Sequence, residues 1–427
     1  MNEVPDQKGR GALRAVTIAW LITSIYYFYQ YVLRSAPAVM MPQLTEAFGV
    51  TAVGLTSLLG LFYFGYAPFS LVAGVAMDQL GPRRAVPMGA AVIGVGALLF
   101  ATGDPTLASI GRFLQGAGGV FALIGAAYLA TTNFPASMAA TLIGVTQMFG
   151  MAGGSAGQFL VGPAIGGGLP WNQFWLFMGV AGIVIAGLLL VSLPRPPPRA
   201  PAKGGTTAAL REAVVAIGVV FRNPQSILCG LIAGLIFIPT TIFDMLWGVR
   251  FLQEAHDMPY GLAVMRSASV PFGWIIGCPL FGMVSDRLGR RKPVIIFGAS
   301  GLLLCLLLIL YGPPDLLPPY SLGLVAGIAS GVAMLPYTVI KEANRPEHSG
   351  TATGVVNFIN FSFSALLGPV FSGLLTRVSA GGERELVHYQ AAFQPLIYGV
   401  ALAILLTLCL RETGRAAQTA QASPSTR

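Results

Sequence analysis

The stretch Gly74-Val-Ala-Met-Asp78-Gln-Leu80-Gly81-Pro-Arg83-Arg84 appears a second time in this chain, as Gly282-Met-Val-Ser-Asp286-Arg-Leu288-Gly289-Arg-Arg291-Lys292. Each copy sets a glycine, a carboxylate and a group of basic residues between two long apolar runs. The glycine permits close helix contact, the carboxylate stands at a helix end, and the basic residues stand beside neighbouring helix termini. Two such copies at matching places predict a chain built from two related halves.

The composition around these copies is typical of a membrane protein. Of the 427 residues, 55% are hydrophobic and only 10% are charged, whereas a soluble globule carries about a quarter charged residues. The 54 glycines and 30 prolines would break helices in water, but inside a bilayer neighbouring helices satisfy the freed backbone groups. The sequence therefore predicts an all-α integral membrane protein.

Twelve apolar runs are long enough to cross the bilayer, which takes about 20 residues. The first run follows a polar start and is longer than a signal-peptide core, so we expect it to be retained as a membrane helix. The predicted helices lie near residues 14 to 41, 51 to 77, 84 to 102, 106 to 133, 139 to 166, 173 to 193, 225 to 250, 260 to 284, 293 to 311, 320 to 340, 351 to 375 and 390 to 411.

A polar, proline-rich stretch separates the first six runs from the last six. It opens at Pro194 and ends at Pro224, and residues 208 to 221 have the pattern of an amphipathic helix on the membrane surface. We therefore expect four parts: a six-helix bundle over 1–193, a cytoplasmic linker over 194–224, a second six-helix bundle over 225–411 and a cytoplasmic tail over 412–427.

The net charge of +9 is explained by topology and not by nucleic-acid binding. Cytoplasmic loops of membrane proteins retain Lys and Arg. If the N-terminus is inside, the opposite loops hold only Arg377 and Arg384, apart from Arg250 at a helix end. We predict a multi-pass protein of the plasma membrane, the inner membrane in bacteria, with both termini in the cytoplasm.

The repeated loop pattern resembles the signature of the major facilitator superfamily, Gly-x-x-x-Asp-x-x-Gly-x-Arg-Arg, between the second and third helices of a half. A second family feature, Arg-x-x-x-Gly-x-x-Gly in the fourth helix, is similar to Arg112-Phe-Leu-Gln-Gly116-Ala-Gly-Gly119. The resemblance covers nearly the whole chain. It implies two six-helix bundles that expose a midplane site alternately to each side of the membrane.

The loop charges are interpreted as coupling or gating residues. We expect Asp78 and Asp286 to make charge contacts that hold one cytoplasmic-side conformation and break in the other; the alternative is that the loop charges only set the topology. Arg112 either orders the fourth helix or takes part in proton coupling, as its motif implies in the family. The full set is Asp78, Arg83, Arg84, Arg112, Asp286, Arg290 and Arg291.

Arg34 is an ionisable residue deep inside the first predicted helix, where burial in lipid is costly. Helical spacing places Tyr27, Gln30 and Tyr31 on its face. A guanidinium can make two parallel hydrogen bonds to a carboxylate or phosphate. We predict that Arg34 contacts the substrate, with a structural ion pair or a bond to helix-end carbonyls as the alternative.

The run from Tyr26 to Pro42 is also similar to the first helix of the family's organic-anion branch, which includes organophosphate and anion:cation symporters. In that branch an arginine at the corresponding position binds the anion. The resemblance therefore implies an anion-binding role for Arg34.

Asp244 in the seventh predicted helix is the second buried charge. The repeat register pairs it with Ala36, two residues from Arg34. An unpaired Asp244 would carry a proton, and an Asp244 paired with Arg34 would stay ionised. The sequence leaves both open, and we favour a salt bridge that the substrate breaks.

Three amides complete the candidate substrate contacts. Gln147 and Asn357 follow Gly144 and Gly354 at positions related by the repeat, and Asn360 lies one turn beyond. Each lines the cavity or joins one helix to another.

No cofactor or metal site is predicted. The histidines His256, His348 and His388 do not cluster, and the phosphate-binding loop of ATP-driven transport is missing from the sequence. We expect no obligate protein partner, and the surroundings of the chain are the lipid bilayer.

These observations favour a secondary active transporter, not an enzyme, that moves a small organic anion such as a carboxylate metabolite together with protons. A dipeptide or other zwitterion is the alternative cargo, since Arg34 would take its carboxylate and Asp244 its ammonium group. A transporter-like membrane sensor is the alternative of another class. A drug exporter would have a more apolar cavity without a central arginine.

Overall fold

The computed structural model describes residues 7–50, 52–194, 205–313, 320–379 and 384–415, and this part of the chain folds into helices without a β-strand. The α-helices are α1 (Gln7–Ser35), α2 (Met41–Phe48), α3 (Ala52–Leu80), α4 (Pro82–Phe100), α5 (Pro105–Asn133), α6 (Ala139–Phe159), α7 (Val161–Gly166), α8 (Trp171–Ser192), α9 (Gly205–Arg222), α10 (Pro224–Ile238), α11 (Val249–His256), α12 (Tyr260–Leu288), α13 (Lys292–Tyr311), α14 (Ser321–Ser330), α15 (Leu335–Glu342), α16 (Ser349–Val378) and α17 (Leu386–Cys409).

The predicted membrane helices are confirmed. Within the described residues, 11 helices are long and apolar enough to cross a membrane. They correspond to eleven of the twelve predicted spans, and the remaining one, the fifth, is α6 followed by the short α7. The chain is an all-α membrane protein with the twelve-helix plan. The predicted surface helix also forms, as α9, and its place on the membrane surface stays a prediction.

Small residues bring α3 and α5 into direct backbone contact. A Cβ atom at Gly65 would collide with the carbonyl oxygen of Phe113, and one at Gly116 would collide with that of Phe62. Without a hydrophobic drive between helices in lipid, such close approach supplies the van der Waals contact that holds them together. The glycines of the fourth-helix motif therefore have a packing role.

The seventh and tenth spans are not continuous α-helices as predicted. In the seventh, α10 ends at Ile238, and a π-helical segment (Pro239–Gly248) leads into α11. In the tenth, a 3₁₀ turn (Gly331–Met334) separates α14 from α15. Pro239 opens the first segment and Pro336 follows the second, and each removes a backbone N–H from the helical ladder.

The chain divides into two compact units. Unit 1 comprises Met1–Pro135, Gly153–Val220 and Glu347–Val355, and unit 2 comprises Ala136–Ala152, Phe221–Pro346 and Val356–Arg427. The start of α6 thus belongs to unit 2 and the start of α16 to unit 1, each grouped with helices of the other half of the sequence. The four parts expected from the sequence, with boundaries at 193, 224 and 411, stay predictions.

Candidate functional site

Arg34 lies near the end of α1 in unit 1, in a setting made by tyrosines. Its guanidinium donates from Nε and Nη2 to the hydroxyl oxygen of Tyr63, at 3.2 and 3.0 Å. The Cζ atom lies 5.0 Å from the ring centre of Tyr31 and 5.1 Å from that of Tyr63, distances at which a ring attracts a cation. Arg34 itself is half-buried. The tyrosines thus fix the position of the guanidinium.

The other residues predicted on the Arg34 face are buried. The rings of Tyr27 and Tyr31 meet edge-on, with 5.0 Å between their centroids. Gln30 is fully buried, and neither its amide nitrogen nor its amide oxygen has a hydrogen-bond partner among the described residues. A buried polar group without a partner costs about 1–3 kcal/mol. Gln30 therefore marks a place in unit 1 where a further polar group would be stabilising.

Arg112 of α5 fastens the last turn of α1. Its Nη1 donates to the carbonyl oxygen of Leu33 at 3.2 Å and to Oε1 of Gln115 at 2.7 Å. In a regular helix the Leu33 carbonyl would accept from the N–H of residue 37, but Pro37 has none. Arg112 thus donates to a carbonyl that its own helix leaves without a backbone donor, and the choice between the ordering and the coupling role stays a prediction.

A hydrogen-bonded chain in unit 2 joins two of the predicted amides. The hydroxyl of Tyr337 donates to Oδ1 of Asn357 at 2.9 Å and accepts from Nδ2 of Asn360 at 3.1 Å. All three side chains are buried, and the Oδ1 atom of Asn360 has no partner in the described part of the chain. The amides thus meet through a tyrosine that the sequence did not single out.

Two further predicted residues are placed less completely. Gln147 of α6 is buried in unit 2. Asp244 lies in the π-helical segment of the seventh span, and its side chain is outside the described residues. Its pairing with Arg34 therefore stays a prediction.

The first loop copy places its carboxylate on the start of another helix. Asp78 accepts from the backbone N–H groups of Gly350 at 2.8 Å and Thr351 at 2.7 Å, and from the Thr351 hydroxyl at 2.6 Å. These residues open α16, where helical N–H groups lack partners and the helix carries partial positive charge. Arg83 donates to the carbonyl oxygen of Leu193, just after α8, and Arg84 is exposed.

The second loop copy repeats this capping and adds an ion pair. One oxygen of Asp286 accepts from the backbone N–H and the hydroxyl of Thr141, both at 2.8 Å, near the start of α6. The other accepts from Nη1 of Arg291 at 2.7 Å. Arg290 is exposed. Each loop aspartate therefore caps a helix that belongs to the opposite half of the sequence.

Arg291 is the centre of a buried charge cluster. Its Nη2 donates to Oε1 of Glu342 at 2.8 Å, and its backbone N–H donates to Glu412 at 2.6 Å. The hydroxyl of Thr413 donates to Glu342 at 2.6 Å. Burial lowers the pKa of the Arg291 guanidinium, but hydrogen bonds and charges from Glu342 and Asp286 more than offset it, so the pKa lies above its ordinary value. The cluster holds Arg291 in its charged form.

The partners of the charged residues were harder to find in the sequence than the charges. A signal existed for Thr141 and Thr351, because each lies three residues before the repeated Gly144 and Gly354. Nothing in the sequence pattern singled out the other partners, which are Tyr63, Glu342, Glu412, Thr413 and Tyr337. The predicted lack of a metal site remains a prediction, and no group of three or more His, Cys, Asp or Glu side chains suited to a metal lies in the described ranges.

The family follows from the sequence as a whole. Residues 23–369 match the model of the Major Facilitator Superfamily. This chain belongs to the major facilitator superfamily. It is accordingly a membrane transporter and not an enzyme, and the resemblance in the loop and fourth-helix motifs is confirmed.

Two relatives of this superfamily member are named as transport proteins, and a solved structure shares its fold. An MFS-type efflux pump of Mycolicibacterium smegmatis is 24% identical over an alignment of 404 residues that covers 87% of this chain and 86% of the pump. The hexuronate transporter of Bacillus subtilis is 24% identical over an alignment of 364 residues that covers 81% of this chain and 84% of that protein. The solved structure of FucP in the outward conformation covers 92% of this chain and 99% of its own at 17% identity, with a TM-score of 0.70, a likeness that shows the fold alone.

Proposed function

We propose that this chain moves a small organic anion, a carboxylate metabolite, together with protons by alternating access. The observation that carries the proposal is the guanidinium of Arg34, half-buried in the first membrane helix and held by Tyr31 and Tyr63. A charged carboxylate is a stronger acceptor than the neutral hydroxyl that Nε and Nη2 now share. The carboxylate would accept the hydrogen bonds from Nε and Nη2 of Arg34. The Tyr63 hydroxyl would then donate a hydrogen bond to the carboxylate.

The preferred cargo is a carboxylate that also bears hydroxyl groups. A hydroxyl both donates and accepts, which suits the amide of Gln30, whose two polar atoms lack partners in the described part of unit 1. In unit 2, the Oδ1 atom of Asn360, which has no partner among the described residues, is a further candidate acceptor. The likeness to a hexuronate transporter supports the same chemical class. Tyr27, Gln147 and Asn357 remain candidate contacts.

Counterflow of labelled acids in proteoliposomes tests the proposal. We expect a hydroxylated carboxylate to exchange, and Arg34→Gln to abolish that exchange while Arg34→Lys restores only part of it, because Lys lacks the paired donors. Arg14→Gln is the matched control, since Arg14 lies on the same helix and is exposed. Unchanged exchange of every tested acid by Arg34→Gln would end the anion proposal.

The same vesicles separate the alternatives. Exchange of labelled dipeptides but not acids, lost in Asp244→Asn, would favour the zwitterion. Ligand binding without any counterflow would favour a sensor. Setting the pH inside and outside separately tests proton coupling, because coupled uptake accelerates when protons are offered on the entry side.

Both termini are proposed to face the cytoplasm, where the loop clusters around Asp78 and Asp286 would hold one conformation closed. Protease access to tags on the two termini in right-side-out and inverted vesicles tests this orientation. Cleavage of either tag in right-side-out vesicles contradicts it.

A further inference from the structure

The second copy of the loop motif carries two arginines that the first copy lacks. In the repeat register Arg287 corresponds to Gln79 and Arg290 corresponds to Pro82. The capping contact and the ion pair of the second copy come from Asp286, and neither of the two extra arginines donates a side-chain hydrogen bond to it. The extra charge of the second copy is therefore independent of the contacts that the two copies share.

The end of α17 brings a third arginine to the same edge of unit 2. A Cβ atom at Gly414 would collide with the carbonyl oxygen of Gly289, between the two extra arginines and the start of α13. The Nζ atom of Lys292 donates to the carbonyl oxygen of Leu408 at 2.9 Å. The ends of α12 and α17 and the start of α13 thus meet. Their exposed arginines, which we call the basic rim, are Arg287, Arg290 and Arg411.

The guanidinium groups of the basic rim have no partner within the described part of the chain. None of the three side chains makes a hydrogen bond or an ion pair there. Residues 416–427, which follow the described part of the tail, contain no aspartate or glutamate. The donors of the rim are therefore available to an anion from the surroundings.

The acidic residues beside the basic rim are bound to other groups. Asp286 and Glu342 pair with Arg291. Glu412 accepts from the backbone N–H groups of Arg291 and Lys292 at the start of α13. Together with these two basic residues, the rim makes a cluster of five basic residues against three acidic ones, so its net charge is positive.

On the membrane side of the basic rim, unit 2 exposes apolar side chains. Leu288 ends α12, Phe297 lies on α13, and Leu405 and Leu408 lie on α17, and all four are exposed. The helices α13 and α17 pack against each other. At 1.5 Å per residue, Phe297 lies roughly 7.5 Å further along α13 than Lys292. Exposed apolar side chains of this kind face lipid chains in a membrane span.

We propose that the basic rim binds the head group of an anionic phospholipid whose acyl chains lie along α13 and α17. The phosphate lies among the three guanidinium groups, and the chains pack beside Phe297 and Leu405. A soluble anion would meet the same charges but leave the apolar surface uncovered. The site goes beyond the proposed transport function, because the lipid is not carried and its binding does not depend on Arg34.

Native mass spectrometry of the full-length protein in an uncharged detergent tests this site. Phosphatidylglycerol is the probe and phosphatidylcholine is the reference lipid. We expect one phosphatidylglycerol to bind more tightly than phosphatidylcholine, and Arg287→Gln, Arg290→Gln and Arg411→Gln each to weaken it about fivefold. Arg84→Gln is the matched control, because it removes an exposed arginine from the first loop copy, on the same predicted side of the membrane.

Three results would overturn the proposal. Equal weakening by Arg84→Gln would mean that only the total charge of the protein matters. Equal affinity for phosphatidylcholine would exclude recognition of an anionic head group. Displacement of the lipid by an equal concentration of glycerol 3-phosphate would assign the basic rim to a soluble anion.

Thermal unfolding gives an independent readout. A lipid bound at the basic rim joins the ends of α12, α13 and α17, so phosphatidylglycerol should raise the unfolding temperature. We expect this rise in the wild type and in Arg84→Gln, and its loss when Arg287→Gln and Arg290→Gln are combined. Lysine at both positions keeps the charge and should keep most of the rise. A full rise in the double glutamine variant contradicts the assignment.

Discussion

The two copies of the loop motif differ in what surrounds their shared capping contact. In the first, Asp78 caps α16 and Arg83 binds a neutral backbone carbonyl. In the second, Asp286 caps α6 and also pairs with Arg291, which reaches on to Glu342. The same motif therefore caps a helix in both places, and in the second place it is also part of a buried ion cluster.

The difference arises from residues outside the motif. Glu342 ends α15 and Glu412 follows α17, and both supply carboxylates to the second copy. Removing one partner of a buried ion pair leaves an uncompensated charge, whereas removing a donor to a carbonyl leaves only a weaker neutral acceptor. Substitutions in the second copy should thus lower the free energy of unfolding more than matching substitutions in the first.

The largest expected contrast is between Arg291→Gln and Arg83→Gln. The first leaves Asp286 and Glu342 without their cation and should lower the free energy of unfolding by about 3 kcal/mol or more. The second should cost about 1 kcal/mol. Thermal unfolding in detergent and counterflow rates measure both. Equal losses of unfolding free energy would mean that the ion cluster adds no stability to the capping contact.

A double-mutant cycle sharpens the contrast within the second copy. Glu342→Gln alone should cost about 2 kcal/mol, and adding it to Arg291→Gln should cost much less than the sum, because the pair is already broken. The coupling energy comes from unfolding temperatures of the four proteins. A coupling energy near zero would contradict direct pairing.

The capping threonines should show what the copies share. Thr351→Val and Thr141→Val each remove one hydroxyl donor to a carboxylate and should each cost about 1.5–2 kcal/mol. Thr353→Val is the control, since that hydroxyl only binds the carbonyl of Ser349 four residues earlier. A cost confined to one of the two copies would break the proposed equivalence.

The smallest effect is expected at Glu412. Among the described residues, none has the same role beside the first copy. Glu412→Gln keeps an acceptor for the backbone N–H of Arg291 but loses the charge at the start of α13 and the second oxygen, which accepts from the backbone N–H of Lys292, at a cost of about 1 kcal/mol. Because Glu412 is half-buried and salt screens such a charge only in part, high salt should reduce the difference from wild type. A salt-independent loss would indicate a larger structural role.

The spans and the motif charges could be predicted from sequence because both follow one-dimensional rules. Apolar length gives the helices, and repetition gives Asp78 and Asp286. The breaks in the seventh and tenth spans were missed, although Pro239 and Pro336 mark them, because proline is also common in continuous membrane helices.

The partners were missed because they depend on packing between distant segments. Tyr63 and Arg34 lie on different helices, and no spacing rule connects them. Glu342 lies at a helix end beside Lys341, a pattern that predicts exposure to solvent. Gln30 was predicted to share a face with Arg34, but only the structure shows that its buried amide has no hydrogen-bond partner among the described residues.

Because Pro37 has no backbone N–H, the position of Arg34 depends on two helices, α1 and α5. The carbonyl of Leu33, one residue away, is served by a side chain of α5 and not by its own helix. If α5 turns within unit 1, the last turn of α1 must follow, or two polar groups are stranded in a low-dielectric interior. The position of Arg34, and with it the proposed anion binding, therefore depends on the position of α5. Substitutions at Arg112 should alter ligand affinity although Arg112 does not contact the ligand.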